Sequence, residues 1–590
     1  MKHCANILEI LLITALFFIY GAYAVPDVNE AHYLEKAAHF WNPDYAAGDF
    51  FLNSPDAHGV FYWSFGWLTK FLPLDQVIWI GRFLTWIGLA FGWFWMTRPV
   101  LLRWGTAFFS AAIFLFLNQH CSFAGEWVVG GVEAKGFAYV FAFFGLGEVL
   151  RNHWNRSLFL IGLSTMFHVL VGGWCLAALG IAWLILKDYE IGLRKRGKPE
   201  DLEKCYLPTF VSILPGLIGA VILTLPALIP ALALNGGVSS EVARNATQLY
   251  VYERLPHHLL LSFIAQKTPD KLIAFGGLIL FWNFLSARPR FSHGEMTFRT
   301  FIYATLLIAL LGWGINLFMT LAPELTASLL RYYWFRIADV MLPVGVSILS
   351  LEFVLSKSTI WGWEKESEKK LVHQEELSSA GRKLSKEERK EIRRKERFQA
   401  RLQERRAARA RILLLGCLVF MAGSLVFSSA KRFTKPMKPR SCSGASCGQT
   451  WLDLCQFVRE NTEKTDIFVV PYTTRTFRWF TGRSVVGVWK DIPQDAQGLM
   501  DWWQRMQDQF YGFDPSKPVQ AYGRTASFTL LPKQKFEYLK KEYGASYVVR
   551  NKNDLKGRAV VTEMPNGIGD YELIYENKDF ELRRLKSAEE

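Results

Sequence analysis

Apolar runs of membrane-crossing length recur along the 590-residue chain, separated by short polar or charged breaks. They fall at 6–24, 76–96, 104–118, 127–149, 157–171, 173–187, 207–234, 270–286, 300–321, 335–356 and 411–429. The stretch 157–187 is too long for one comfortable span. Basic residues flank both its ends: Arg151 and Arg156 before it, then Lys187, Arg194, Lys195, Arg196 and Lys198. Positive charge resists translocation, so this stretch is expected to cross and return. Gly172-Gly173 would supply the turn, with His168 near the outer face.

The same bias places Lys2, Arg98, Arg103, Arg288, Arg290 and Arg299 inside. Loops 25–75, 119–126, 235–269 and 322–334 then lie outside. Eleven spans follow, with the N-terminus cytoplasmic and the C-terminus outside. The alternative for 6–24 is a cleaved signal peptide, because Ala22-Tyr23-Ala24 has the small-x-small form. Glu9 inside the apolar stretch argues against it.

After residue 430 the pattern changes. Asp466–Pro471, Ser484–Trp489 and Ser546–Arg550 read as buried strands, and Asp501–Phe510 and Phe536–Tyr543 as helices. Tyr571–Tyr575 and Phe580–Leu585 read as a terminal hairpin. The predicted architecture is an all-α polytopic membrane bundle with a C-terminal extracytoplasmic α/β domain. Its parts are a transmembrane core over 1–356, a charged cytoplasmic helical linker over 357–410, a last span at 411–429 and the α/β domain over 430–590.

Composition sharpens this picture. Hydrophobic residues make up 51% and charged residues only 21%, with a formal net charge of +15. That excludes a disordered chain and a purely soluble enzyme. Between Lys357 and Arg411 stand 18 Lys/Arg against 10 Asp/Glu, a net of +8 and more than half of the excess. A nucleic-acid binder could look like this locally. Apolar runs on both sides instead make it a cytoplasmic loop that sets topology or docks a partner, and no nucleic-acid partner is expected. Eight cysteines are too sparse for a disulfide framework. Cys442 and Cys447 could close a small loop, and Cys455 follows without the further partners a zinc site needs.

Ionisable residues beside a bilayer are costly and need a reason. Here they gather on the outer side. Loop 25–75 holds Asp27, Glu30, His32, Asp44, Asp49, Asp56 and His58. Glu30, Leu34 and Ala38 share one helical face, and Gly48-Asp49 marks a turn before an aromatic stretch. Arg254, His257 and His258 end a long outer loop, and Arg331 and Arg336 open a late span. The last two are five positions apart, so only one is expected to face any one cavity. Glu133 and Lys135 read as structural pairing between helices, and His168 as a packed histidine.

The order of these features resembles the GT-C type integral membrane glycosyltransferases, which use polyprenyl-phosphate sugars, and suggests a divergent, bacterial-like member. The resemblance rests on the first span, the loop Asn29-Glu30-Ala31-His32-Tyr33 and the Gly48-Asp49 pair. Gly131–Lys135, Phe167–Leu170, Arg254–His258, Leu330–Arg336 and Tyr543–Val549 extend it over nearly the whole chain, through short and degenerate motifs. It implies sugar transfer from a lipid-phosphate donor to an extracytoplasmic acceptor in the cell (inner) membrane. Membrane lipid and a lipid-linked sugar donor would be the partners.

One departure stands out. Asn29 occupies the position of the family's catalytic Asp, and an amide cannot accept a proton. Glu30, Asp49 or Asp27 is therefore expected to act as general base, with Glu30 and Asp49 in a loop and not in a packed core, where substitution spares folding; the plainer alternative is a wet loop with ordinary surface carboxylates. Arg254, His257, His258, Arg331 and Arg336 are expected to neutralise the departing phosphate. A divalent cation held by carboxylates could assist, although no sequence cluster demands one. Two rival functions remain: a lipid or solute transporter or flippase, for which no inverted repeat is visible, and a non-catalytic membrane scaffold. A transferase requires Glu30, Asp49, Arg254 and one of Arg331 or Arg336 to line one cavity, whereas a scaffold lets them scatter.

Overall fold

The structure is a computed structural model that describes residues 2–196, 207–287, 292–355, 386–434, 448–510, 533–552 and 571–585. Cys442, Cys447, Lys198, Arg288, Arg290 and most of the front half of the charged linker lie outside the described residues. Seven helices are long and apolar enough to cross a membrane: His3–Gly21, Leu74–Thr97, Val169–Lys195, Phe210–Ala233, Gly294–Leu317, Arg336–Leu355 and Arg411–Thr434. The chain is a multi-pass membrane protein. The other four expected spans are helices too, but shorter: Thr106–Cys121, Ala134–Leu150, Trp154–Phe167 and Pro269–Ser286.

Arg336–Leu355 is buried along nearly its whole length, mostly through apolar side chains, with Asp339, Ser347 and Ser350 buried among them. It packs against Thr106–Cys121, Pro269–Ser286 and His293–Leu317. Ala134–Leu150 lies between Leu74–Thr97 and Trp154–Phe167, and Phe210–Ala233 covers the latter. Helices of the periphery keep apolar side chains outward, as Phe83, Leu84, Ile87 and Phe91 show on Leu74–Thr97. In a bilayer that face meets lipid at no cost, since every backbone group is satisfied within the helix.

The chain does not turn at Gly172-Gly173. It breaks at His168, whose backbone is extended, and Val169–Lys195 then runs unbroken through both glycines. The Val171 N–H donates to His168 Nδ1 at 3.3 Å, so the imidazole caps the new helix. Gly172 serves close approach instead: a Cβ there would lie 2.2 Å from the Thr165 backbone nitrogen.

The tail forms a five-stranded sheet in the order β2-β1-β3-β5-β4. Its strands are β1 (Ile467–Val469), β2 (Ser484–Val485), β3 (Ala545–Asn551), β4 (Tyr571–Glu576) and β5 (Phe580–Leu585). β1 pairs parallel with β2 and β3, and β3, β5 and β4 pair antiparallel. One face buries Trp451, Leu454, Phe468 and Leu582, and the other Trp502, Met506, Phe536 and Val469. Neighbours such as Phe468 and Val469 point to opposite faces, as the strand period requires. The expected strand Ser484–Trp489 is shorter than its sequence suggests. Beyond Val485 the backbone leaves the sheet and carries Trp489 and Lys490 to the bundle, where both meet Arg254 or Asn29. The second half of the charged linker and the last span form one helix, Lys386–Ala430.

The elbow at His168 gives a paired test. Gly172→Ala should lower the melting temperature of the detergent-solubilised protein and its monodisperse yield. Gly173→Ala, with nothing within 4 Å of the added methyl, should leave both unchanged.

Candidate functional site

The loop after the first span begins with the helix Glu30–Trp41, and Glu30 anchors it. Its carboxylate is 1% exposed. Arg82 donates from Nε to Oε1 at 2.7 Å and from Nη2 to Oε2 at 2.6 Å. The backbone N–H groups of Val132 and Asp27 donate to the same two oxygens, at 2.9 and 2.6 Å. A Cβ on Gly131 would lie 2.7 Å from Oε1, so only glycine lets this strand of chain approach. Four donors fill the four lone-pair sites of a carboxylate. Glu30 thus has no lone pair left for a substrate hydroxyl; it positions the loop. Asp27 is buried beside it.

Asp49 is filled in the same way. It caps the short helix Phe50–Asn53 by accepting from Leu52 N–H at 3.0 Å. It also accepts from Arg478 Nη1 at 3.1 Å and from Val485 N–H at 3.0 Å, both in the tail. Arg478 further donates to Glu35 at 3.0 Å and to Asp491, and His32 Nδ1 lies 3.5 Å from Asp491. Three carboxylates thus surround one buried guanidinium. Burial raises Glu35 to about 8, with Asp491 and Asp49 adding to the rise against the pull of Arg478. Asp491 is also pushed up by burial, but Arg478 and His32 outweigh this and hold it well below the carboxylate range. The expectation that Glu30 and Asp49 sit in a loop and not in a packed core is therefore corrected: both are buried and clamped.

Between these clamps lies a second polar cluster. The Asn29 amide donates to Glu133 Oε2 at 3.0 Å and accepts from Lys490 Nζ at 2.8 Å. The other Glu133 oxygen has no well-aimed hydrogen bond, and stands 3.4 Å from Lys135 Nζ. Lys135 is also 3.8 Å from Glu126 and lies over the Trp127 ring. Glu126 receives Arg336 Nε at 2.8 Å and the Tyr139 hydroxyl at 3.2 Å. Its loop is held by Asp339, which accepts from the N–H groups of Phe123, Ala124 and Glu126 and from the Ser122 hydroxyl.

The expected cations divide. Arg336 faces this cluster, with its guanidinium 3.9 Å from the Tyr333 ring centroid. His258 Nδ1 donates to the Ala124 carbonyl at 2.6 Å, and the exposed His257 ring lies tilted against it, 4.1 Å between centroids. Arg254 donates to the Trp489 carbonyl at 3.2 Å. Arg331 points away and donates to the Thr247 hydroxyl at 3.2 Å. So Arg254, His258 and Arg336 come together, while Glu30, Asp49 and Arg331 go to separate partners.

Several residues of the cluster escaped the sequence reading. Glu133 and Lys135 were visible only as a span-opening pair, Glu126 as a loop residue, and Lys490 stood just past an expected strand. Nearby, Tyr33 and His58 Nε2 are 3.3 Å apart, and the His58 and His168 rings 5.5 Å. Burial lowers His58 to about 4, so it is neutral at physiological pH. Among the described residues no group of three or more His, Cys, Asp or Glu side chains is placed to hold a metal ion. Glu126 and Glu133 already face Lys135, Asn29 and Arg336, so a divalent cation does not fit this donor set.

Residues 449–509 match a family described as a domain of unknown function (DUF6798). That segment carries Arg478, Lys490 and Asp491. No curated protein matches the chain. Among solved structures, ArnT from Cupriavidus metallidurans bound to undecaprenyl phosphate aligns over all of this chain and 98% of its own, at 12% identity and a TM-score of 0.43. The oligosaccharyltransferase of Archaeoglobus fulgidus in its apo form aligns over 93% of this chain and 69% of its own, at 12% identity and a TM-score of 0.40.

Two outcomes follow from the clamps. Glu30→Ala or Arg82→Ala leaves one charge buried and alone, which costs about 3–5 kcal/mol. Each should lose most monodisperse protein in size-exclusion chromatography. Glu35 gives a pH signature. Its folded pKa lies above its ordinary value, so the stability it contributes is complete below about 4.5 and is lost as pH rises to about 8. The melting temperature should fall across that window, and Glu35→Gln should flatten the fall.

Proposed function

We propose that the protein is a membrane glycosyltransferase that moves a sugar from a lipid-phosphate donor to an extracytoplasmic acceptor. The observation that carries this reading is one carboxylate oxygen, Glu133 Oε1, buried without a well-aimed hydrogen bond and 3.4 Å from Lys135 Nζ, in a cluster with Asn29, Glu126 and Lys490. A hydroxyl acceptor needs a base, and an anionic leaving group needs cations beside that base. Glu133 takes the acceptor proton. Asn29 holds its other oxygen and orients it, which gives the amide at position 29 a role that an aspartate could not fill. Arg336, Arg254 and His258 face the phosphate, with the exposed His257 at the rim. Glu30, Asp27 and Asp49 act through position, by fixing the loop that carries Asn29. Arg331 stands aside.

The topology that goes with this reading has eleven spans, the N-terminus in the cytoplasm and the tail outside. A second reading, a non-catalytic scaffold, draws on the filled carboxylates of Glu30 and Asp49. A transporter has no specific observation in its favour.

Glycolipids and glycoproteins should differ between cells with and without the protein, and Glu133→Gln should erase the difference while keeping the parent melting temperature. Unchanged glycans in both comparisons would favour the scaffold. A reporter active only outside the cytoplasm, fused after Glu590, should be active.

A further inference from the structure

The tail segment that leaves the sheet after Val485 is pinned on both sides of Lys490. The Trp489 ring lies between those of Tyr472 and Trp502, 5.2 and 5.1 Å between centroids, and its backbone N–H donates to the Tyr472 carbonyl at 3.2 Å. Arg254, on the bundle, donates from Nε and Nη2 to the carbonyls of Trp489 and Lys490, at 3.2 and 3.4 Å. Asp491 is held by Arg478. With its backbone fixed, Lys490 reaches across the seam on its long stem, and its Nζ donates to Asn29 Oδ1 at 2.8 Å. Asn29 Nδ2 donates onward to Glu133 Oε2 at 3.0 Å. Tail, loop and bundle thus share one directed chain of hydrogen bonds.

The direction of that chain matters to Glu133. An ammonium only donates and an ionised carboxylate only accepts, whereas an amide does one at each end. With its oxygen turned to Lys490, the amide has its NH2 left for Glu133, and a donor favours the ionised form of a carboxylate. Without Lys490 the amide is free to turn over once Glu133 is protonated. Its oxygen then accepts from the acid and favours the neutral form. An ammonium blocks that turn, because it would meet the NH2 hydrogens with its own. The other ionisable groups beside Glu133 are Lys135, on the opposite oxygen at 3.4 Å, Glu126 and Tyr33. Those beside Lys490 are Arg254, Arg475, Asp491 and His32. Burial, Arg254 and Arg475 lower Lys490 to about 8 against the pull of Asp491 and Glu133, so it is an ammonium throughout the acid range.

We propose that Lys490 is a positioning residue for Glu133 that acts through Asn29, so that docking of the tail sets the base in its proton-accepting form. The part Glu133 plays in sugar transfer rests on the transferase reading; the positioning does not. The tail is then a switch carried on the same chain. Undocked, the bundle keeps Glu133 and Asn29 but loses the lock on the amide.

The test uses the full-length protein in detergent, without substrate. Infrared difference spectra over a pH titration follow the carboxylic-acid carbonyl band that Glu133→Gln lacks. Lys490→Met should raise the midpoint of that band by about one pH unit or more, at the parent melting temperature. Lys490→Arg should keep the parent midpoint. In an Asn29→Leu background the midpoint should be raised already, and adding Lys490→Met should move it little further, because residues that act through one another are not additive. An equal shift with and without Asn29 means that the ammonium acts through its field alone, and overturns the proposal. An unmoved midpoint in Lys490→Met overturns it as well; if the melting temperature has then fallen, Lys490 is only a staple between tail and bundle. Should Lys490→Met give no monodisperse protein, Lys490→Gln carries the same expectations. In cells, Lys490→Met should erase the glycan difference that the parent makes, and Lys490→Arg should keep it. A shifted midpoint in a protein whose parent makes no glycan difference sinks the transferase reading and leaves the positioning of Glu133 in place. A glycan difference that survives Lys490→Met despite a shifted midpoint overturns the part of the tail in the reaction.

Discussion

One buried guanidinium holds the tail against the membrane bundle. Arg478 gathers Glu35 and Asp49 from the loop after the first span and Asp491 from its own domain, and all four are nearly inaccessible to water. An ammonium could not do this, because three carboxylates need donors fixed in a plane and aimed apart. The knot is also more than a contact. Asp49 caps a short helix of the loop and receives a backbone N–H from β2, so the loop and the sheet edge share one carboxylate. Breaking the knot would leave three acids buried together, which is far costlier than the surface ion pairs elsewhere on the molecule.

The meeting of Asn29 and Lys490 in the candidate site depends on that knot and on the Glu30–Arg82 clamp. The clamp ties the start of the loop to a span, and the knot ties its middle to the tail. Asn29 lies beside the first and meets Lys490, which follows from the second. An aspartate at 29 would stand within hydrogen-bond distance of Glu133, and two carboxylates that close cannot both ionise. The amide bridges a carboxylate and an ammonium instead. This is a physical reason for Asn29 that no reading of the loop alone could supply.

Much of the fold was legible because it is local. The face of Glu30, Leu34 and Ala38 is a helix that buries those residues, and the hairpin around Glu576–Asp579 is there, with its register shifting between Leu573 and Tyr575. Apolar length alone identified the seven long spans. The turn expected at Gly172-Gly173 failed because glycine in a membrane helix can serve close packing as readily as a turn. Thr165, on the preceding helix, decided which. The strand at Ser484 ended early for a similar reason: Trp489 and Lys490 have partners on the bundle that a local pattern cannot show.

The site divides along the same line. Sequence by itself determined that this is a helical membrane chain and that a region of mixed helices and strands follows it. Those conclusions rest on hydropathy and period, which neighbours in the chain carry. It could not say which carboxylates are spent and which remain open. Glu30 looked available until Arg82, inside a stretch read as an apolar run, was found donating to both its oxygens. A carboxylate's role depends on how many donors reach its lone pairs, and here those donors come from residues tens to hundreds of positions away. Only the tertiary structure brings them together.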